Sequence, residues 1–311
     1  MIKYFHMWLL FALFGYGLLA IVAILDKFIV TKTAIKPIVF TFYSTIFLLP
    51  LFLLLPFGVT FPESSFVYVV IGLSGLTFLL ALWTMYLAFR QSEISHIGPL
   101  VGGVTPLFVL LLGRIFLNEK LSGVELAGVF LLILGSLLIS FQPVRHHHSL
   151  TQGAGFAILS SFFFAVSHLT SKYLYDGLGF YSGLVWSRAA IGFFGFLMLI
   201  IPAVRIGLRP KFSFHKLIPW RERFNYGNFF LVFVDKVLGV VGVLSVQFAI
   251  ALGSVTVVNA LNGFQYGLLV ILVALLSWFF PKVFRERYER GELWQEIAAV
   301  ILIGIGLGFL V

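Results

Sequence analysis

The chain has 311 residues, of which 60% are hydrophobic and 11% charged, and its mean hydropathy is +1.07. A typical soluble domain is about half apolar and roughly a quarter charged. A water-soluble globule of this length cannot hide so much apolar side chain, even with a large core. The composition therefore argues against soluble enzymes, nucleic-acid binders and disordered chains, and it predicts a membrane protein.

Basic residues outnumber acidic residues, 21 to 12, which gives a formal net charge of +9. In a soluble protein this excess would suggest a nucleic-acid partner. In a membrane protein it indicates basic cytoplasmic loops that contact anionic lipid headgroups. We therefore expect the lipid bilayer as a partner, and no nucleic acid. The sequence contains no cysteine, so disulfides and thiolate metal sites are excluded.

Apolar runs long enough to span a membrane follow one another along the chain. A hydrocarbon core of about 30 Å needs roughly 20 residues of helix, whereas a barrel strand needs only about ten residues. The runs lie near residues 5–25, 37–57, 66–86, 97–117, 123–141, 152–174, 181–203, 228–250, 256–280 and 293–311. The first run exceeds the roughly 7–15 apolar residues of a signal peptide, and no small-residue cleavage site follows it. The pattern predicts an all-helical membrane protein with ten transmembrane helices.

Weak internal repetition divides the chain into two halves. A shift of 145 aligns residues 11–30 with the sixth run, and a shift of 161 aligns residues 86–103 with the ninth. A shift of 171 aligns the fifth run with the tenth. Because the order is preserved and the shift grows only at loops, we predict two five-helix domains, residues 1–146 and 147–311.

Five spans in each half is an odd number, so the second half must begin on the opposite side of the membrane from the first. The two halves are then inverted relative to each other, with a pseudo-twofold axis in the membrane plane. Inverted repeats are typical of secondary transporters, because two equivalent gates can open in turn.

The end of the fourth run carries the most recognisable local motif. Residues from Pro106 to Leu121 read PLFVLLLGRIFLNEKL, with Glu119 at the end of the helix and a glycine-bearing fifth run behind it. With ten helices in two halves, this stretch resembles the EamA family of the drug/metabolite transporter superfamily. The resemblance implies two five-helix repeats and the export or exchange of small metabolites. The second half departs from the pattern, since Phe280 and Pro281 replace the Asn-Glu pair.

The basic residues are unevenly distributed across the membrane. The loops after the odd-numbered spans carry 15 of the 21 Lys and Arg residues. The positive-inside rule places these loops in the cytoplasm. We therefore expect a multi-pass protein of the plasma membrane whose two termini lie on the non-cytoplasmic side.

Charged residues inside the spans are the first candidates for a substrate site. Asp235 and Lys236 lie about eight residues into the eighth run, roughly 10–12 Å deep at about 1.5 Å per residue. Ionisable groups at that depth normally face a cavity or a partner, so the pair forms a polar site or gate, or else a local charge pair with a snorkelling lysine. Arg188 lies near Trp186 in the seventh run, and a cation there suits an anionic or carboxylate-bearing substrate.

Lys27 and Lys172 occupy equivalent positions in the two halves, and inversion puts them on opposite faces of the membrane. They are candidate gate charges, or interfacial lysines whose amines reach the membrane surface. His168 lies one turn before Lys172. It is either a site residue that titrates near neutral pH or a hydrogen-bonded packing residue.

Amides form one stripe along the ninth run. Asn259, Asn262 and Gln265 recur at three-residue spacing. Such a stripe lines a cavity or joins helices by hydrogen bonds. We expect at least two of these amides and the charged candidates to meet at a central cavity with Trp186 or Trp83 in its wall.

Glycine pairs at four-residue spacing predict close helix packing rather than chemistry. They are Gly98 and Gly102, Gly263 and Gly267, and Gly304 and Gly308.

Enzyme signals are weak. No GxxxxGK[ST] sequence is present, so no ATP-driven pump is indicated. The stretch GLSG from Gly72 to Gly75 resembles a serine protease motif only superficially, because no histidine base is arranged against its serine. The histidines at 146–148 are interpreted as a solvated linker. We predict no enzyme, no cofactor and no metal site.

These observations favour a monomeric secondary transporter that moves a small polar or amphipathic metabolite by alternating access. Two alternatives stay open. One is a lipid-linked-sugar flippase, which the family resemblance permits, and the other is a non-transporting membrane scaffold.

Overall fold

The computed structural model describes residues 7–32, 36–91, 94–140, 148–208, 226–279 and 290–310. Within these ranges, side chains are described for all residues except 26–32, 94–96, 148–152, 226–233, 236 and 290–293. The regular structure of the described residues is entirely helical.

The described residues form twelve α-helices, which we number in chain order. They are α1 (Met7–Lys32), α2 (Pro37–Ile46), α3 (Ser65–Gln91), α4 (Ile94–Phe116), α5 (Gly123–Ser140), α6 (His148–Leu178), α7 (Phe180–Leu197), α8 (Pro202–Leu208), α9 (Tyr226–Leu252), α10 (Val255–Ala260), α11 (Asn262–Phe279) and α12 (Arg290–Gly308). Two short 3-10 helices, Leu49–Leu54 and Met198–Ile200, extend α2 and α7.

In the part of the chain that the structure describes, eight helical segments are long and apolar enough to cross a membrane. They are Met7–Leu25, Pro37–Leu54, Ser65–Gln91, Ile97–Phe116, Gly123–Ser140, Gly153–Leu178, Phe180–Ile200 and Val255–Phe279. Shorter apolar helices, Val237–Leu252 and Trp294–Gly308, lie where the eighth and tenth spans are expected. The prediction of an all-helical multi-pass membrane protein is confirmed, and the count of ten spans stays a prediction.

Large apolar side chains cover the outside of the helix bundle. Phe47, Leu53 and Ile200 are each at least 72% exposed, and Trp278 is 76% exposed. Exposure of so many apolar groups to water is unfavourable, whereas lipid tails solvate them. The largest core cluster instead lies between the two halves of the chain and contains residues of α1, α4, α5, α6, α9, α10 and α12.

Serine hydroxyls of α6 join it to α3 in the first half of the chain. Ser160 Oγ donates to the Ala81 carbonyl at 2.9 Å, and Ser167 Oγ donates to the Ser74 carbonyl at 3.0 Å. These side chains are small and buried, so the two helix backbones approach closely and the hydroxyls are satisfied by the neighbouring helix. The interface therefore joins the halves through the membrane interior.

Glycines set the packing of the last helix. A Cβ on Gly306 of α12 would lie 3.0 Å from the Gly128 carbonyl oxygen of α5, so α5 and α12 are in backbone contact there. Gly304 and Gly308 were predicted to form a face for close helix packing, yet a Cβ on either meets no described atom within 4 Å. That prediction is wrong, because the rotation of α12 turns Gly306 toward α5 and the other two glycines away.

The glycine pair of α4 was predicted to bring two helices close together, and it contacts an aromatic side chain. Gly98 and Gly102 face the ring of Tyr266 on α11, and a Cβ on Gly98 would lie 3.0 Å from its Cε1 atom. A Cβ on Gly102 would overlap the same ring. The two glycines therefore form a slot for one aromatic side chain.

Candidate functional site

A short hydrogen bond links two of the predicted site residues across the bundle. His168 Nδ1 of α6 lies 2.5 Å from Asn259 Oδ1 of α10. Asn259 is 2% exposed, and its Nδ2 donates to the Val255 carbonyl at 2.8 Å. Because Oδ1 can only accept, Nδ1 of His168 carries the proton of this bond. The imidazole is thereby fixed, and its Nε2 points away from the amide.

Arg188 of α7 is the most deeply buried cation whose side chain is described. It is 3% exposed, and its Nε has no hydrogen-bond partner among the described residues. The guanidinium carbon lies 5.3 Å from the centre of the Phe78 ring of α3, which is a cation–π contact. The guanidinium is also close enough to His168 for their charges to interact.

Aromatic rings connect Arg188 to the histidine. Phe78 meets Phe164 of α6 edge to face, with ring centres 5.7 Å apart. Phe164 in turn stacks on His168 at 6.0 Å with an angle of 28° between the rings. We call the five residues Arg188, Phe78, Phe164, His168 and Asn259 the Arg188 cluster. It joins a helix of the first half, α3, to three helices of the second.

A break in the ninth span lies beside this cluster. The helix from Val255 to Phe279 is interrupted at Leu261, where the Phe264 amide donates to the Leu261 carbonyl at 2.9 Å in a tighter turn. Such 3-10 turns within helices frequently mark hinges, and broken helices commonly form transporter sites. Asn262 begins the second part of the helix and is half-buried.

Gln265 lies one turn beyond the break and is 9% exposed. The structure gives neither this amide nor that of Asn262 a hydrogen-bond partner among the described residues. Their amide atoms are not fully enclosed either, since neither residue has a buried unpaired atom. Part of each amide is therefore accessible at the surface of the described residues.

The two tryptophans were predicted as wall residues of the site, and the structure describes contacts for Trp186. Trp186 Nε1 donates to the Thr60 carbonyl at 3.0 Å, and its ring packs against Phe61 and Tyr68. Trp186 therefore anchors the loop before α3, and its place beside Arg188 in a shared wall is not supported. Trp83 is half-buried on α3, and the structure records no ring contact or hydrogen bond for it.

The charged pair of the eighth span is described only in part. Asp235 lies on α9 with no exposed surface. The side chains of Lys236 and Lys27 lie outside the described side chains. The interpretations of Lys236 as a site residue and of Lys27 as a gate charge stay predictions.

Lys172 joins α6 to the end of α9. Its Nζ donates to the Ala251 carbonyl at the end of α9, at 3.2 Å, and pairs with Asp176 at 3.0 Å. One turn along α6, the Tyr175 hydroxyl donates to Gln247 Oε1 at 2.8 Å. Both bonds hold α6 against α9, and the interpretation of Lys172 as a gate charge stays a prediction.

Glu119 forms a third contact on this face that the sequence analysis did not assign to the site. Its Oε2 accepts a hydrogen bond from Thr256 Oγ1 at 2.5 Å, which joins the end of α4 to the start of α10. A Cβ on Gly113 would lie 2.8 Å from the same oxygen, so the glycine leaves room for the carboxylate. The motif at the end of the fourth run was the signal that could have found it.

A cavity of about 350 Å³ opens at the end of α6. It is lined by Val67, Tyr173, Leu174, Asp176, Gly177 and Leu178. None of the candidate site residues lines it, so it is separate from the Arg188 cluster.

Comparison with known proteins identifies the first half. The model of the EamA-like transporter family matches residues 6–141, which contain α1 to α5. Over these residues the chain is similar to the EamA-like transporter family. The resemblance to this family of the drug/metabolite transporter superfamily is thus confirmed, and the Glu119 motif lies inside the EamA region.

The fold extends beyond the EamA region. A solved crystal structure of another protein covers 96% of this chain and 94% of its own, with a TM-score of 0.64 and 17% sequence identity. At that identity the likeness shows a shared fold alone. No curated protein matches the chain.

Proposed function

We propose that this protein, whose first half is similar to the EamA-like transporter family, is a secondary transporter that moves a small polar or amphipathic metabolite by alternating access. The observation that carries the proposal is the Arg188 cluster. It places a buried cation and a hydrogen-bonded His168–Asn259 pair inside the helix bundle. In a bundle embedded in lipid, each unsatisfied polar group costs on the order of several kcal/mol. A membrane scaffold needs no such group at this depth.

Alternating access needs two equivalent halves, and residues 1–146 and 147–311 are proposed to be these halves. Helix contacts support the equivalence. Gly15 of α1 touches Gly242 of α9, where a Cβ on Gly15 would lie 2.8 Å from the Gly242 oxygen. By the shifts of 145 and 161, the equivalent positions in the other half are Ser160 and Ala81. These two residues are joined by a 2.9 Å hydrogen bond.

A second pair of contacts behaves in the same way. The shift of 171 converts the contact of Gly128 with Gly306 into one between Ala299 and Gly135. A Cβ on Gly135 would indeed lie 3.0 Å from the Ala299 carbonyl oxygen. A pseudo-twofold axis that exchanges the halves produces such reciprocal contacts, so they support the division into two equivalent halves. The odd number of spans expected in each half is what would place that axis in the membrane plane.

The proposed gate lies on the face where α6 ends and α10 begins. Lys172, Tyr175 and Glu119 each contribute one hydrogen bond between helices there. In a transporter these bonds would break when that face opens, and the break at Leu261 would allow α10 to move relative to α11. The resulting cycle exposes the Arg188 cluster to one side of the membrane at a time.

Metabolite profiling of cells with and without the protein tests this function. We expect a small set of polar or amphipathic metabolites to change in distribution, and Asn262→Leu to remove the change at an equal level of membrane-inserted protein. Gln91→Leu, a matched change at an exposed position on α3, should leave the profile as in the wild type. Identical profiles with and without the protein, or a change confined to lipid-linked sugars, would contradict the proposal.

A further inference from the structure

We propose that Arg188 binds the carboxylate of the transported molecule, and that this molecule is a monoanion with a compact apolar body. This inference rests on the proposed transport function and names its substrate class. It starts from the burial of Arg188, whose side chain is 3% exposed. A guanidinium stays charged under all conditions in proteins, so the site holds a permanent positive charge.

The charge has no ionic partner among the described residues. Of the described carboxylates, Asp176 pairs with Lys172, Glu119 accepts from Thr256, and Glu125 accepts from the Ser122 amide. The buried Asp235 and Glu296 have partners as well. None of the described carboxylates forms an ion pair with Arg188. A buried and uncompensated cation is costly, because burial removes its hydration without replacing it. An anion that enters the bundle would supply the missing charge.

The shape of the guanidinium favours a carboxylate. Its N–H groups form a planar fork that matches the two oxygens of a carboxylate, and such bidentate pairs are strong and directional. Nε is buried with an unused donor, whereas the terminal nitrogens are not fully enclosed. A ligand carboxylate can therefore bind the terminal nitrogens, for which no hydrogen bond to a described residue is recorded.

Charge balance at Arg188 favours a ligand with one negative charge. Lys172, which could neutralise a second charge, is held by Asp176 and by the Ala251 carbonyl. A dianion such as a phosphate monoester would leave an excess negative charge inside the bundle. A monocarboxylate gives a neutral complex with Arg188.

The neighbours of Arg188 determine the rest of the molecule. Phe78 lies under the guanidinium, and Phe164 continues the aromatic surface toward His168. Both phenylalanines are half-buried, so part of each ring is open. An apolar body attached to the carboxylate would pack on these rings, and a polar edge would meet the His168–Asn259 pair.

Binding of matched acids and amides to the purified protein tests the inference. The probes are phenylacetate with phenylacetamide, and benzoate with benzamide, which differ in charge and little in shape. We expect the two acids to raise the midpoint of thermal unfolding by about 2–4 °C at saturating concentration, and the two amides to leave it unchanged. Arg188→Gln should lose the response to the acids, and Arg188→Lys should keep a reduced one.

Arg205→Gln is the matched control, because it removes the same charge from an exposed position on α8. It should respond to the acids as the wild type does. An equal response to acid and amide, no response to either acid, or an undiminished response in Arg188→Gln would each overturn the inference. Because these are binding measurements, they can fail while metabolite profiling still shows transport. The binding measurements can equally succeed if metabolite profiling shows no transport.

Discussion

Gly128 of α5 and Gly306 of α12 lie in backbone contact, and a Cβ on either would lie 3.0 Å from the carbonyl oxygen of the other. The contact joins the fifth helix of the EamA region to the last helix of the chain. Gly304 lies on another face of α12, and a Cβ added there would meet no described atom within 4 Å. Gly304 and Gly306 are therefore a matched pair of positions on one helix.

Gly306→Val should destabilise the protein, because the added methyl groups have no room against the α5 backbone. Overpacking of this kind costs about 1–3 kcal/mol. Gly304→Val adds the same groups toward open space and should change stability by less than about 0.5 kcal/mol. Thermal unfolding of the two purified variants measures the difference. Equal loss in both would show that the α5–α12 contact is absent.

Gly102→Ala should displace the Tyr266 ring from its slot in α4 and lower stability by about 1–3 kcal/mol. Removing the ring as well, in Gly102→Ala with Tyr266→Ala, should cost less than the sum of the two single changes. A double-mutant cycle in thermal unfolding measures this coupling. Additive losses would mean that the ring lies elsewhere.

The bond between His168 and Asn259 should also appear as a coupling energy. Asn259→Leu leaves His168 Nδ1 unsatisfied, and His168→Phe leaves the amide oxygen unsatisfied. The two single changes together should therefore lower the free energy of unfolding by about 1 kcal/mol more than the double change does. Thermal unfolding of the four proteins gives this value. Asn262→Leu serves as a comparison, because no hydrogen bond to its amide is lost, and it should show no coupling to His168→Phe.

Lys172→Met should open the face that this residue closes. The protein contains no cysteine, so Val258→Cys, fully buried in α10 just inside that face, reports its opening through labelling by a membrane-impermeant maleimide. A hydrogen bond to a charged group contributes about 1.5–3 kcal/mol, so its loss should raise the labelling rate about tenfold or more. Lys120→Met removes an exposed lysine nearby and should leave the rate unchanged. Unchanged labelling in Lys172→Met would rule out a gating role.

A reporter fused after Val311 should lie on the non-cytoplasmic side, because the loops after the odd-numbered spans hold 15 of the 21 basic residues. An alkaline phosphatase fusion should be active, and a green fluorescent protein fusion exported as an unfolded chain should be dark. The opposite pair of results would place both termini in the cytoplasm.

The sequence by itself determined the membrane-embedded helical fold and the chemistry available to it. Lipid requires about 20 apolar residues per helical span, so the runs of apolar residues reveal the helices before any packing is known. Charge and amide groups inside those runs are rare because they are costly. For that reason Arg188, His168 and Asn259 could be selected from the sequence alone.

Only the tertiary structure decided which of these groups meet. The rotation of each helix about its axis depends on contacts with distant segments, and one residue of rotation changes the face by about 100°. Trp186 and Arg188 are two residues apart, so they point in different directions, and the structure sends the indole to Thr60 and the guanidinium to Phe78. The pairing of His168 with Asn259 joins α6 to α10, which lie far apart in the sequence, and no local pattern encodes it.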